Sequence, residues 1–207
     1  TTAATSTATR LTLAPRETPQ SVSIITRQQL DDQHLTSIAS VLERSVGITL
    51  SQMEPDRGNA SSRGFYTPGF QFDGIPTESQ QGMQDYAMLS DTAIYDRVEI
   101  IRGATGLLTG LGDPSGAVNL IRKRPTREFR GHVSASTGRW QKYRAEADIA
   151  GPLAADGAIR GRLVATQRDT DSHVAGYSNQ HALAYGVLEA DIGPRTTLTA
   201  GVDHLRS

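Results

Sequence analysis

The residues of this 207-residue chain that come nearest to a chemical constellation are glycines. Gly103, Gly106, Gly110, Gly112 and Gly116 follow a β-favouring segment, Arg97 to Arg102, whose apolar members are Val98, Ile100 and Ile101. A strand running into a Gly-rich turn is how phosphate-binding loops begin, because crowded backbone N–H groups can surround an anion. The details do not follow. The mononucleotide loop needs Gly-x-x-x-x-Gly-Lys-Ser/Thr, and no lysine stands at that spacing. The dinucleotide fingerprint needs Gly-x-Gly-x-x-Gly opening a helix, whereas Gly110, Gly112 and Gly116 fall one residue off and Pro114 breaks the helix. No acid lies about twenty positions on to hold a ribose. The other reading of these glycines is structural, with backbone passing close to backbone or taking positive φ.

Metal and covalent chemistry find less support. The five histidines, His34, His132, His173, His181 and His204, are scattered without a ligand spacing. Asp169, Asp171 and His173 are spaced as oxygen ligands could be, but the rest of a calcium loop is missing. Cysteine is absent, which removes thiol nucleophiles, Cys-ligated metals and disulfides, and there is no Gly-x-Ser-x-Gly. No catalysis and no cofactor is expected. A net charge of −1 gives no sign of a nucleic-acid partner. No apolar run reaches the length of a membrane-spanning helix, a test blind to β-barrels, whose strands alternate polar and apolar residues.

The elements that position these residues can be taken in order. Thr1 to Thr9 is a Thr/Ala/Ser lead with no means of forming a core. Arg16 to Ile25 is proline-punctuated and enters a strand at Val22. Thr26 and Gln29 have capping-box spacing and predict a helix over 27–33. A second helix is predicted over 37–45, capped by Thr36, with Ile38, Val41 and Leu42 on one face and Gly47 as its stop. A strand is expected from Ile48. Residues 61–65 and 71–76 read as two short strands joined by a turn at Tyr66-Thr67-Pro68-Gly69. A polar loop over 78–91 follows, and after the glycines a second β run, 117–122, leads into the basic knot Arg122-Lys123-Arg124 before Pro125.

Beyond Thr126 five strands are predicted, over 128–137, 143–152, 158–169, 182–192 and 197–205. Tyr143, Ala145, Ala147 and Ile149 alternate with Arg144, Glu146 and Asp148; the fourth and fifth segments behave alike. One face is small and apolar, the other carries both signs of charge. Period two is compatible with a soluble sandwich. Connector lengths favour a membrane barrel: 193–196 and 153–157 are short like periplasmic turns, and 170–181 is longer and polar like an outer loop. Trp140 and Tyr143 fit either an aromatic girdle or core packing.

Tyr95-Asp-Arg-Val-Glu-Ile-Ile-Arg-Gly, Gly106-Leu-Leu, Asn119-Leu-Ile and Arg122-Lys-Arg-Pro-Thr resemble, in order and spacing, the end of the plug domain of TonB-dependent outer-membrane receptors, in particular the ferric-siderophore receptors of the ferripyoverdine type. Ser61-Ser-Arg-Gly-Phe and Asp73-Gly-Ile-Pro resemble two further plug motifs. The resemblance implies an α+β plug domain, a small mixed sheet with short helices, followed by antiparallel strands of a transmembrane β-barrel, a fragment of 22 strands. It divides the chain into a lead at 1–20, with the TonB box expected upstream, a plug at 21–126, and the first five barrel strands at 127–207. It implies uptake of a ferric siderophore across the outer membrane. Its partners would be TonB with ExbB and ExbD, and outer-membrane lipid, with iron held by the siderophore itself. Apical ligand contacts would fall on Tyr66, Thr67, Pro68, Gly69, Gln84, Asp85 and Tyr86, unless these are ordinary exposed loops. Arg63 and Arg102, read as lying inside β segments, would pair with barrel-wall glutamates beyond Ser207, or else be solvated strand arginines. The rival readings are a soluble nucleotide-binding domain and a structural β-rich surface protein.

Overall fold

The computed structural model describes residues 20–54, 57–66, 70–77, 90–103, 116–139, 142–154, 157–171 and 178–206. The lead, the glycines between 104 and 115, Trp140 and His173 lie outside them. The chain forms two compact units, Thr1–Arg122 and Lys123–Ser207.

In the first unit β1 (Ser21–Thr26) runs into α1 (Arg27–Asp32), and α2 (Ile38–Glu43) follows. Then come β2 (Thr49–Glu54), β3 (Arg57–Ser62), β4 (Phe65–Tyr66), β5 (Phe70–Phe72), β6 (Ile75–Pro76), a 3-10 turn at Thr92–Ile94, β7 (Tyr95–Arg102) and β8 (Gly116–Arg122). The main sheet has the order β1-β7-β8-β5-β6, antiparallel except where β5 runs parallel to β8; β2-β3-β4 is a small second sheet.

Local chemistry accounts for the helices. Thr26 accepts from the Gln29 N–H while the Gln29 side chain accepts from the Thr26 N–H, which closes the expected capping box. The second helix departs from expectation, because Ser37 is the cap, reciprocally bonded with Ser40. Thr36 instead gives its carbonyl to the Thr92 N–H, tying the helix entry to the turn before β7. Gly47 has φ +79 but lies beyond the helix end, where a Cβ would press on the Arg102 side chain.

Leu30, Ile38, Val41 and Leu42 bury their side chains. Val98 and Ile100 of β7, opposite Leu120 and Val118 of β8, are buried too. Each such side chain contributes about 1.5–3 kcal/mol.

The two strands expected around Arg63 and Asp73 are two hairpins. Arg63-Gly64 and Asp73-Gly74 are both at positive φ between paired residues, Ser62 with Phe65 and Phe72 with Ile75. This is the two-residue turn whose twist matches the flanking strands. Asp-Gly is its ordinary signature. Arg at the first position is not, which is why the sequence pattern reads as strand there.

The second unit is a five-stranded antiparallel meander of β9 (Arg130–Gly138), β10 (Lys142–Pro152), β11 (Ile159–Asp171), β12 (Ser178–Asp191) and β13 (Thr197–Arg206). Register is unbroken along it: Asp148 faces Val164, and Val164 faces Tyr185. The alternation read from the sequence is therefore one of faces. Ile149, Leu163, Leu188, Leu198 and Val202 share the apolar face, and among the described residues no second layer covers it. Ile149, Leu188 and Val202 are 47%, 54% and 71% exposed. A soluble sandwich would bury these side chains and leave the charges in water. Here the order is reversed, since Asp148, Arg160 and Glu189 on the other face are the buried ones.

Candidate functional site

Six of the expected ligand-contact residues, Thr67, Pro68, Gly69, Gln84, Asp85 and Tyr86, lie outside the described residues. Tyr66 ends β4, paired with Ser61. What the structure places is the residues that flank these two segments. Phe70 is buried, and its carbonyl accepts both the Thr77 N–H at 3.0 Å and the Thr77 hydroxyl at 2.8 Å. After the second segment, Ser90 Oγ is 3.0 Å from the Tyr95 hydroxyl, and Asp91 accepts from the Ala93 N–H at 2.8 Å. The Thr92 hydroxyl donates to the Leu35 carbonyl at 2.6 Å. The described residues that flank both segments, Phe70, Thr77 and Ser90 to Thr92, are therefore fixed by hydrogen bonds.

One of the two arginines departs from its expected setting and the other keeps it. Arg63 is not in a strand; it occupies an exposed turn at φ +54. Its Nη1 reaches within 3.8 Å of the place a Cβ on Gly103 would take. Arg102 does lie at the end of β7, half-buried, and donates to the Val46 carbonyl at 3.0 Å and to the Ser23 and Ser21 hydroxyls at 2.7 and 3.3 Å. Neutral acceptors thus hold its guanidinium inside the first unit. Gly116, opposite Arg102, has φ +138, and a Cβ there would stand 2.1 Å from the Ile101 carbonyl oxygen. At this end of the Gly-rich stretch the glycine serves close backbone packing.

Sequence reasoning missed a buried polar row across the first sheet. Gln71, Asn119 and Glu99 stand opposite one another on β5, β8 and β7, and all are buried. Asn119 Oδ1 accepts the Gly74 N–H at 2.9 Å, fixing the Asp73-Gly74 turn. Glu99 accepts from Arg97 Nε at 2.6 Å, and Asp96 from Arg97 Nη1 at 3.1 Å. Burial works against the Arg97 charge, yet the Glu99 and Asp96 carboxylates outweigh it and raise its pKa above the ordinary guanidinium value. The signal was present, since Glu99 interrupts an apolar run at a strand centre.

The charged face of the second unit is a connected ion-pair array. Asp148 on β10 accepts from Lys123 Nζ at 2.7 Å and, through both oxygens, from Arg162 at 2.8 and 2.7 Å. Arg162 Nη1 also donates to the Arg124 carbonyl at 3.0 Å, and the Tyr185 hydroxyl to the Lys123 carbonyl at 2.9 Å. Nearer the short turns, Arg160 bridges Glu189 at 2.9 Å and Asp191 at 2.7 Å. Lys123 and Arg124 of the basic knot are thus bound across β10, β11 and β12, while Arg122, the last residue of β8, pairs with Asp73 at 2.8 Å. Burial of these charges is tolerable only because each is paired and hydrogen-bonded. No group of His, Asp and Glu able to hold a metal ion occurs among the described residues.

The described residues form an α+β unit followed in the chain by a strand wall. Residues 14–117 match the model of the TonB-dependent receptor plug domain. Over 96% of its length the chain is 49% identical to the ferripyoverdine receptor of Pseudomonas aeruginosa, covering 24% of that protein. Several solved structures are 48% identical, and two illustrate the match. One, the complex of FpvAI with pyocin S2, superposes with TM-score 0.94, covering 98% of this chain and 26% of that one. The other is the ferripyoverdine receptor of the outer membrane of Pseudomonas aeruginosa bound to ferripyoverdine, with TM-score 0.92 and coverage of 98% and 27%. The chain therefore spans about a quarter of the length of the curated relatives it matches. Its first unit is a plug and its second an antiparallel piece of barrel wall, and the chain belongs to the TonB-dependent receptor family.

Proposed function

We propose that this chain is the gate and first wall strands of an outer-membrane receptor that imports a ferric siderophore of the pyoverdine class, using energy delivered by TonB with ExbB and ExbD. The observation that carries the reading is the exposed apolar face of the second unit, set against a buried ionic face. That arrangement is stable where lipid meets one side and protein or lumen the other. The identity to a ferripyoverdine receptor supports the ligand class. The cargo brings its own iron ligands, so the protein acts as a transporter and not an enzyme and needs no resident cofactor. Tyr66 to Gly69 and Gln84 to Tyr86 are proposed to touch the chelate. Arg63 and Arg102 are proposed to meet wall carboxylates outside this chain, with the lead at 1–20, the plug at 21–126 and the wall from 127.

The test is radioactive iron uptake in cells whose own siderophore receptors are deleted and which express the intact receptor carrying this segment. Uptake of ferric pyoverdine that disappears on deletion of TonB is the expected result. Absence of both uptake and chelate binding, or calorimetric binding of a nucleotide instead, would refute the reading.

A further inference from the structure

The ion-pair array does more than neutralise charge, because two of its acceptors are main-chain carbonyls of the connecting segment. Lys123 is held by its side chain to Asp148 and by its carbonyl to Tyr185, and Arg124 by its carbonyl to Arg162. Three adjacent strands therefore grip two consecutive residues, and Lys123, Asp148 and Tyr185 are all buried. The first unit is built with the opposite bias. Its N-terminal strand β1 lies at the sheet edge and pairs only with β7, whereas β8, from which the chain leaves, has neighbours on both sides. Resistance to a pull on the N-terminus thus rises along the chain, and it is greatest where the segment is clamped.

We propose that Lys123 and Arg124 form a fixed stop at which pulling-induced unfolding of the plug ends, with Asp148, Arg162 and Tyr185 as the positioning residues that hold it. The inference rests on the reading of this chain as a TonB-driven gate. Opening the gate then lengthens the chain only as far as Lys123, and the wall keeps its inner ion pairs intact throughout.

The experiment is single-molecule force spectroscopy on the intact receptor in a lipid bilayer, pulled from the N-terminal side of the plug. Unfolding of the plug is expected to halt at a contour length counted to Lys123. The stretch from there to β9 at Arg130 is expected to yield in a separate, higher-force step of about 23 Å, at ~3.3 Å per residue. The double variant Lys123→Met, Tyr185→Phe leaves Asp148 paired with Arg162 and is expected to merge that step with plug unfolding. Lys123→Arg is expected to retain it. If the double variant does not assemble, Tyr185→Phe alone is expected to lower the force of the final step. A wild-type trace without the separate step overturns the proposal, as does a step that the substitutions leave unchanged. The measurement needs neither siderophore nor TonB, so a failure of the transport reading is seen separately in the uptake assay.

Discussion

Leu163 and Leu198 offer a direct comparison, because they lie on the same face of the second unit and are exposed to nearly the same degree, 59% and 58%. In a water-facing sheet, arginine at either position would change stability by no more than about 0.5 kcal/mol. In a lipid-facing sheet the two positions differ by depth. Leu198 pairs with Ala190, which pairs with Ile159, a row beside the short turns. Leu163 pairs with Gly186, which pairs with Val202, four residues further along each strand. Four residues are about 13 Å of strand, or roughly 9 Å of depth at a tilt near 45°. In an apolar band about 25 Å tall that moves a side chain from the rim towards the midplane. Leu163→Arg should therefore cost about 2–4 kcal/mol and Leu198→Arg about 0–1 kcal/mol. Denaturant titration of the intact receptor in phospholipid vesicles measures both. Two substitutions with equal effects, each near zero, would refute the lipid-facing assignment, and a larger cost at Leu198 would reverse the depth order of the two rows.

Other expectations concern the first unit. Gly116→Ala forces a methyl group against the Ile101 carbonyl and should destabilise the β7–β8 ladder by several kcal/mol, roughly 3 or more; faster amide exchange in β7 would register it, and unchanged protection would contradict the close packing. Ser37→Ala should cost about 1 kcal/mol through loss of the helix cap. Thr36→Ala keeps the carbonyl that Thr92 uses and should cost clearly less in the same denaturation assay. Arg63→Asn relieves a positive φ that a long side chain tolerates poorly and should stabilise the plug by up to about 1 kcal/mol. Should Arg63 serve a wall contact, that gain comes with reduced uptake.

Much of the architecture was legible because it is written in short-range rules. The alternation of Tyr143 to Ile149 placed the wall strands within a few residues, since period two is a property of the pleat itself. The Thr26–Gln29 capping box was likewise local. What escaped were choices settled by partners distant in sequence. Thr36 was expected to cap the second helix, but Ser37 takes that place and the Thr36 carbonyl goes to Thr92, far along the chain. Arg63 read as a strand residue because its turn type is ordinarily announced by Asn, Asp or Gly, as Asp73-Gly74 does. The basic knot was visible as charge, but nothing in Arg122-Lys123-Arg124 names Asp148 as the acceptor. Glu99 could have been flagged as a carboxylate inside an apolar strand, yet its place opposite Asn119 depends on a register only the folded sheet defines.

The two units also differ in how far apart their pairing residues lie in the chain. Every ladder in the second unit joins consecutive strands, so each hairpin closes a small loop and can form as soon as its two strands exist. In the first, β1 must wait for β7, and Arg102 donates to a Ser21 hydroxyl 81 positions earlier. Closing such a loop carries a larger entropic cost before any contact rewards it. Synthesis delivers the stopper first, but its strand β1 must find a partner far along the chain, whereas each strand of the wall has its partner next to it in sequence.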